Sequence, residues 1–302
     1  MAAIRALAAP RFVFSPEYVV DLGGHAFATR KFALAADLLR GRGEFVAPPP
    51  ATREQLLLAH DEAWVEKVLS CRMTLDDEAA MELPFSPALS RAHQLAAGGT
   101  ILACRDALER GVGLHCGGGS HHAFAGHAEG FCVLNDLAVG ILQMRQERRL
   151  SRAAVIDLDV HHGNGTASLF AGDPDVFTFS MHQGDIYPAF KPKSSLDIGL
   201  KAGTADAEYL ALLEENLPSI FAIHPELVVY QAGVDCFERD TLGGLKLTED
   251  GLRRRDTLVR DACRKHGVPV AVTLGGGYAE SAETTARLHA RTLKVFASQG
   301  VL

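Results

Sequence analysis

Two carboxylates and two imidazoles lie within the six residues from Asp157 to His162. They directly follow the apolar run 153–156, whose length and composition predict a buried parallel strand. Residues two apart on an extended backbone point to the same side, so Asp157, Asp159 and His161 would project together. Adjacent buried carboxylates are costly unless a cation or hydrogen-bond donors compensate them. The spacing therefore indicates a divalent-metal site, and a solvated acidic turn fits poorly with the apolar residues before it.

Two adjacent histidines, His121 and His122, follow a run of three glycines. A lone histidine is usually a core or surface residue, but a tandem pair behind a flexible run indicates general acid–base chemistry. Cys116 and Cys132 flank the pair. A catalytic thiol is one interpretation of these cysteines, and a buried structural role is the favoured one.

Two further residues fit such a site. Asp235 follows the apolar run 228–231, where it could complete a metal site with Asp159 and His161, or merely cap a helix or loop. Tyr278 follows three glycines that allow the backbone to approach a ligand closely. Its hydroxyl could donate to a developing oxyanion, although a packed aromatic ring is the alternative.

The elements that must position these residues alternate regularly in the second half of the chain. Short apolar strands are predicted at 153–156, 176–179, 227–231 and 268–274, with helices at 207–223, 248–266 and 280–295. The first 110 residues favour a strand at 12–14 and helices at 29–39, 53–60, 63–70 and 88–108. This pattern predicts an α/β fold, a mainly parallel sheet flanked by helices on both faces, in one domain spanning 1–302. Because ligands bind beyond the carboxyl ends of such strands, the four reactive segments should converge.

Composition narrows the class of protein. With 302 residues, 47% of them hydrophobic, the chain can bury a large core, and its net charge of −7 argues against nucleic-acid binding. The arginine cluster 253–255 is interpreted as a solvated helix face. No signal peptide or membrane-spanning run is evident, and six scattered cysteines suit a reducing compartment, so we expect a soluble cytoplasmic protein.

Several motifs in order resemble the zinc-dependent histone deacetylase family, from about Phe12 to the C-terminus. These motifs are His121-His122, Gly130-Phe131-Cys132, Asn135-Asp136, Asp157-Leu158-Asp159-Val160-His161-His162-Gly163, Gly233-Val234-Asp235 and Gly275-Gly276-Gly277-Tyr278. The chain is most similar to the bacterial and class IV branch. The resemblance implies the arginase/deacetylase fold and removal of acetyl or longer acyl groups from lysine or from a small acylated amine.

The resemblance also implies a role for each residue. One Zn²⁺ would be held by Asp159, His161 and Asp235, while His121 and His122 would move protons. Asp157 would orient His121, and Tyr278 would stabilise the oxyanion. The implied substrate tunnel contains Gly130, Phe131 and Gly276, with Tyr187 as our candidate for the opposing wall. A structural K⁺ site would use Asp157, Asp159, His161, Ser180 and Met181, for which ordinary strand-end packing is the alternative.

Two positions depart from the family pattern. Asn164 stands where many relatives have an aspartate beside the second histidine, so it should raise the pKa of His122 less than a carboxylate would. The segment 83–87 lacks the aspartate that grips the substrate backbone in many relatives. It predicts an apolar rim suited to longer acyl chains or small acylated amines.

Two other functions compete with this interpretation. A binuclear manganese ureohydrolase shares the fold but needs a second metal bound by additional aspartates. A non-catalytic acyl-lysine binding module on the same scaffold is the other, although every expected catalytic residue is present. Acyl length, physiological substrate and oligomeric state are left open by the sequence.

Overall fold

The computed structural model describes residues 9–297, and its centre is one sheet of eight parallel strands. The order across the sheet is β2-β1-β3-β8-β7-β4-β5-β6. The strands are β1 (Arg11–Val13), β2 (Glu44–Val46), β3 (Val112–His115), β4 (Ala153–Asp157), β5 (Val176–Gln183), β6 (Leu196–Leu200), β7 (Leu227–Gln231) and β8 (Val270–Thr273).

Helices connect these strands and cover the sheet. They are α1 (Arg30–Asp37), α2 (Arg53–Leu56), α3 (Glu62–Ser70), α4 (Leu75–Met81), α5 (Pro87–Arg110), α6 (Asp136–Gln146), α7 (Asn164–Leu169), α8 (Asp206–Phe221), α9 (Glu249–His266) and α10 (Ala282–Ala297), with a short 3-10 helix at Pro16–Tyr18. The predicted α/β class, a parallel sheet flanked by helices, is confirmed.

Alternate residues of β4 face two different hydrophobic cores. Ala154 and Ile156 pack in the core that includes residues of α1, α8, α9 and α10, whereas Ala153 and Val155 pack in the core that includes residues of α3 and α6. Both faces of the central strand are therefore apolar, which explains why its sequence is a continuous hydrophobic run rather than an alternating one.

The strand register brings the reactive segments together. Asp157, the last residue of β4, pairs with Ser180 on β5 and with Gln231 on β7. Strand β7 pairs in turn with β8, so the segments after β4, β7 and β8 leave the same edge of the sheet. The predicted convergence at the carboxyl ends of these strands follows from this register.

The interpretation of 253–255 as a solvated face is wrong for one of its three arginines. Arg253 and Arg254 are exposed, but Arg255 is fully buried and paired with Asp256 at 2.8 Å. The three residues span most of a helical turn, so one of them must face the sheet. No helix within 9–297 is long and apolar enough to cross a membrane.

Buried histidines should make the fold sensitive to acid. Burial lowers the pKa of His93, on α5, to about 4, so its protonation favours the unfolded chain. Its contribution is complete above the unfolded pKa of about 6.5 and is lost as pH falls towards 4, amounting to about 3 kcal/mol. In urea titrations at pH 7 and pH 4.5, His93→Gln should lose less unfolding free energy between the two pH values than the wild type. The exposed His224→Gln should lose as much as the wild type; equal losses in both variants would contradict the assignment.

Candidate active site

The residues predicted as metal ligands converge at the end of β4. Side-chain ligand atoms of Asp159, His161 and Asp235 all lie within 4.8 Å of one another. Nδ1 of His161 lies 3.1 Å from Asp159 Oδ1 and 3.3 Å from Asp235 Oδ2. All three side chains are buried, so the cluster is an imidazole nitrogen facing two carboxylates away from bulk water.

The chemistry of this cluster fits a divalent cation. Oδ2 of Asp235 is buried and accepts no well-aligned hydrogen bond, although Nδ1 of His161 lies 3.3 Å away. Burial and the neighbouring Asp159 charge raise the pKa of Asp235. A Cβ at Gly276 would lie 2.0 Å from Asp235 Oδ2, so only glycine leaves the carboxylate room there. Two carboxylates and one imidazole are three protein ligands, which leave a coordination position open on a divalent cation.

The tandem histidines occupy opposite electrostatic environments. His121 Nδ1 lies 2.7 Å from Asp157 Oδ2. Burial opposes protonation of His121, but the carboxylates of Asp157 and Asp159 outweigh it and raise the pKa to about 9. Burial, followed by the charges of His121 and His161, holds the pKa of His122 well below its usual value. The pKa values of the two adjacent rings are therefore shifted in opposite directions.

His122 is held by an amide rather than a carboxylate. Its Nδ1 lies 2.7 Å from Oδ1 of Asn164, and this contact only partly offsets the effect of burial on the pKa of His122. Nδ2 of Asn164 donates to Oε2 of Glu129 at 2.8 Å. The lowering therefore comes from burial and the neighbouring imidazoles, whereas the contact with the amide raises the pKa of His122.

The carboxylate of Asp136 holds the loop that carries His121 and His122. Its carboxylate accepts hydrogen bonds from the backbone N–H groups of Gly119 and Ser120. It also accepts one from Thr100, which lies 3.0 Å from Nδ1 of the buried His115. The Asn135-Asp136 motif therefore begins α6 and holds the loop just before His121.

Tyr278 lies on the loop after β8, where its own backbone is tied to the neighbouring loop. Its N–H donates to Asp240 Oδ2 at 2.7 Å, and its carbonyl accepts from the hydroxyl of Thr241 at 2.7 Å. Burial raises the pKa of Tyr278 well above 10, so the phenol stays protonated. Beneath this loop the buried Lys31 donates to the carbonyls of Gly275 and Gly277.

A cavity of about 220 Å³ is lined by His122, His161 and Tyr278. The two residues expected as tunnel walls, Phe131 and Tyr187, line it as well. The ring of Phe131 lies 5.9 Å from that of Tyr278, and Tyr187 lies 5.1 Å from His122, nearly perpendicular to it. Gly130 is required between these walls because a Cβ there would lie within 3 Å of both His122 and Tyr187.

The rim differs from the apolar one expected from 83–87. Leu83 is only 2% exposed and belongs to the core, whereas the exposed Glu82 lines the mouth with Ile186 and Leu242. Glu82 follows α4 with a left-handed backbone. The sequence alone did not single it out, because it is one carboxylate at a helix end with no motif around it.

A second group of metal-type ligands, His162, His182 and Asp197, shares no residue with the first. His162 Nε2 already lies 3.1 Å from Asp197 Oδ1, so this group can form an ordinary hydrogen bond. Ser180 and Met181, expected at a K⁺ site, lie on β5, where the hydroxyl of Ser180 contacts Nδ1 of His182. Within residues 9–297 the two groups have no carboxylate in common that could bridge one group to the other.

Comparisons with known proteins identify the family and the fold of this chain. A histone deacetylase domain model matches residues 25–295. Histone deacetylase 2 of Arabidopsis thaliana is 30% identical over 96% of this chain and 79% of its own length. An uncharacterized protein of Picosynechococcus is 41% identical, covering 89% of this chain and 92% of its own. The crystal structure of the HDA15 HD domain superposes with a TM-score of 0.79 at 24% identity, covering 97% of this chain and 92% of that one, which shows the shared fold.

Proposed function

We propose that this chain, which belongs to the histone deacetylase domain family, is a zinc-dependent amidohydrolase that removes acetyl or longer acyl groups from lysine side chains or related amines. One observation carries the proposal. His121, His122, His161 and Tyr278 line one pocket, and Nδ1 of His161 lies 3.1 Å from a carboxylate oxygen of Asp159 and 3.3 Å from one of Asp235. A proton acceptor, a cation site and an oxyanion donor at one place are what amide hydrolysis requires.

Asp159, His161 and Asp235 would hold the zinc ion. When bound, the ion supplies a Lewis acid that polarises the acyl carbonyl and acidifies water. Asp157 takes no part in this ligand set, because its Oδ2 is committed to His121 and its Oδ1 accepts the backbone N–H of Asp159.

His122 and His121 have different roles in the proposed reaction. Nδ1 of His122 faces the Asn164 carbonyl oxygen and therefore carries the proton, which leaves Nε2 as a free base. This nitrogen takes a proton from the attacking water as the water oxygen bonds to the acyl carbon. As the C–N bond breaks, the proton passes to the departing amine, and the products are a free amine and a carboxylate. His121, kept cationic by Asp157, stabilises the negative charge that develops nearby.

The cavity walls select a narrow, extended group. Phe131 and Tyr187 would pack against the methylenes of an acylated lysine. At the rim the Glu82 carboxylate can accept N–H groups from a peptide backbone or from a small amine. The proposed substrates therefore include peptides, whereas an apolar rim would have favoured longer acyl chains or small acylated amines.

The competing functions make different demands on the site. A binuclear manganese enzyme needs carboxylates shared by two ions, whereas the second ligand group here shares none with the first. A binding module needs no neutral base beside its ligand. We also propose a K⁺ ion bound by Asp157 together with backbone oxygens around Asp159, His161, Ser180 and Met181. Residues 1–302 would form one catalytic domain that acts in the cytoplasm.

Metal analysis tests the proposed cofactor. The purified protein should bind one zinc ion per chain, and chelation should abolish turnover that added zinc restores. Asp235→Ala should bind less than about a tenth of an equivalent, because the loss of one of three ligands removes most of the affinity. Asp197→Ala, in the second ligand group, should still bind one equivalent. Two equivalents of manganese in the wild type would instead support the ureohydrolase.

Rates with acetyl-lysine peptide, long-chain acyl-lysine peptide and acetylpolyamine test the activity itself. Hydrolysis of any of them by the zinc-loaded protein supports the amidohydrolase, and the ratios identify the substrate class. Binding of an acyl-lysine peptide without turnover of any substrate would leave the binding module as the function.

A further inference from the structure

Glu129 lies directly behind the amide that holds the neutral histidine. Its Oε2 accepts from Nδ2 of Asn164 at 2.8 Å and from the hydroxyl of Tyr187 at 3.3 Å. Its other oxygen lies 3.1 Å from Nε2 of His127. The side chain is 28% exposed, so one carboxylate joins the proton-transfer residues to the tunnel wall near the surface.

We propose that Glu129 is a positioning residue that fixes the orientation of the Asn164 amide and thereby the tautomer of His122. This inference rests on the proposed function and adds to it a residue that contacts neither substrate nor metal. A neutral histidine can serve as the base only if the nitrogen facing the substrate is unprotonated.

An amide has two different ends, whereas a carboxylate has equivalent oxygens. Asn164 is 1% exposed, so bulk water does not determine which end faces His122. If the amide were reversed, its NH₂ group would face Nδ1 and would favour the tautomer protonated on Nε2, the wrong nitrogen. A carboxylate at Glu129 only accepts hydrogen bonds, so it selects the orientation in which NH₂ points outward and the carbonyl oxygen faces His122.

The same carboxylate ties the tunnel wall to this arrangement. The hydroxyl of Tyr187 donates a hydrogen bond to Oε2 of Glu129, the same oxygen that accepts one from Nδ2 of Asn164. Gly130, the next residue, has φ of 49° and leaves no room for a side chain between His122 and Tyr187. Glu129 is thus held at a fixed place between the base and the wall.

A double-mutant cycle with position 164 tests the inference. Glu129→Ala should lower kcat by about tenfold or more, because the loss of an outer partner of this kind typically costs 10–100-fold. Glu129→Gln, which keeps an oxygen acceptor, should recover most of that loss. In the Asn164→Asp background Glu129→Ala should not lower kcat. The two oxygens of an aspartate are equivalent, so neither orientation needs to be selected, and the loss of Glu129 also removes a neighbouring negative charge. Equal losses in both backgrounds would overturn the proposal.

Tyr187→Phe separates the two hydrogen bonds of Glu129. It removes the bond to the tunnel wall and leaves the bond to Asn164, so its effect should fall on KM rather than on kcat. If Tyr187→Phe reproduced the kcat loss of Glu129→Ala, the positioning role would belong to the wall contact and the assignment would be wrong.

A spectroscopic measurement keeps the inference independent of turnover. In metal-loaded protein with ¹⁵N-labelled histidine, His122 should show a protonated Nδ1, assigned by its absence in His122→Ala. Glu129→Ala should weaken or shift this signal, and Glu129→Gln should restore it. An unchanged signal in Glu129→Ala would refute the positioning role even if the protein hydrolysed acyl-lysine. A changed signal without any hydrolysis would refute only the proposed function.

Discussion

Replacing Tyr278 with phenylalanine should lower kcat by about 10²–10³ while the protein keeps its metal. The raised pKa of Tyr278 keeps the phenol protonated throughout the neutral range, so its hydroxyl can donate to an oxyanion. The backbone bonds to Asp240 and Thr241 do not involve the hydroxyl and survive the substitution. The loss should therefore be one of transition-state stabilisation, about 3 kcal/mol, rather than one of structure.

Steady-state kinetics with metal analysis on the same preparation measure this effect. Tyr209→Phe is a matched control, because it removes the hydroxyl of a buried tyrosine on α8 that does not line the cavity. It should turn over substrate at close to the wild-type rate. If Tyr278→Phe retained more than about a third of the wild-type kcat, the oxyanion role would be untenable.

The ends of three strands could be predicted from the sequence because motif and strand adjoin there. The apolar run of β4 leads directly into Asp157, and β7 and β8 lead similarly into Asp235 and Tyr278. Parallel pairing then brings these residues to one edge of the sheet whatever the connecting helices do. The local pattern contains most of the information about this part of the site.

Three of the four remaining strands, β2, β3 and β6, were not predicted. Strands β1 and β2 are each three residues long, and β3 begins two residues after the long helix α5, so its apolar residues continue a helical pattern. Strand β6 is at the edge of the sheet, where its side chains are only partly buried and the hydrophobic signal is weak. Of these four, only β1 was predicted, from its aromatic and β-branched residues.

The supporting residues of the site could not be predicted for a different reason. Glu129 is 35 residues from Asn164 in sequence, and Lys31 is 244 residues from the carbonyl of Gly275 that it contacts. A single carboxylate or amine has no spacing that marks its partner. Such contacts depend on how the loops pack over the sheet edge, and that packing is a property of the whole fold rather than of any local stretch.

The buried Arg255 illustrates the same point and joins the two segments that carry the metal ligands. Its Nη1 donates to the carbonyl of Leu158 at 3.2 Å and to that of Gly233 at 2.6 Å. These residues lie one position before Asp159 and two before Asp235. Arg255 is fully buried, and its charge is balanced by Asp256.

Arg255→Met should therefore destabilise the fold by about 3–5 kcal/mol, because it leaves the Asp256 carboxylate buried without its cation and two carbonyls without a donor. Partial compensation remains, since Asp256 also accepts hydrogen bonds from Tyr230 and Thr292. Where the variant folds, its zinc affinity should also fall, since the two ligand-bearing segments lose their common tether.

Urea unfolding and competitive zinc titration measure the two effects separately. Arg253→Met is the matched control, with the same substitution on the same helix at an exposed site paired with the exposed Asp250. It should change the unfolding free energy by no more than about 0.5 kcal/mol and leave zinc affinity unchanged. If Arg255→Met lost stability but bound zinc as tightly as this control, Arg255 would support the core alone. A joint loss would show that the geometry of the metal site depends on this buried cation.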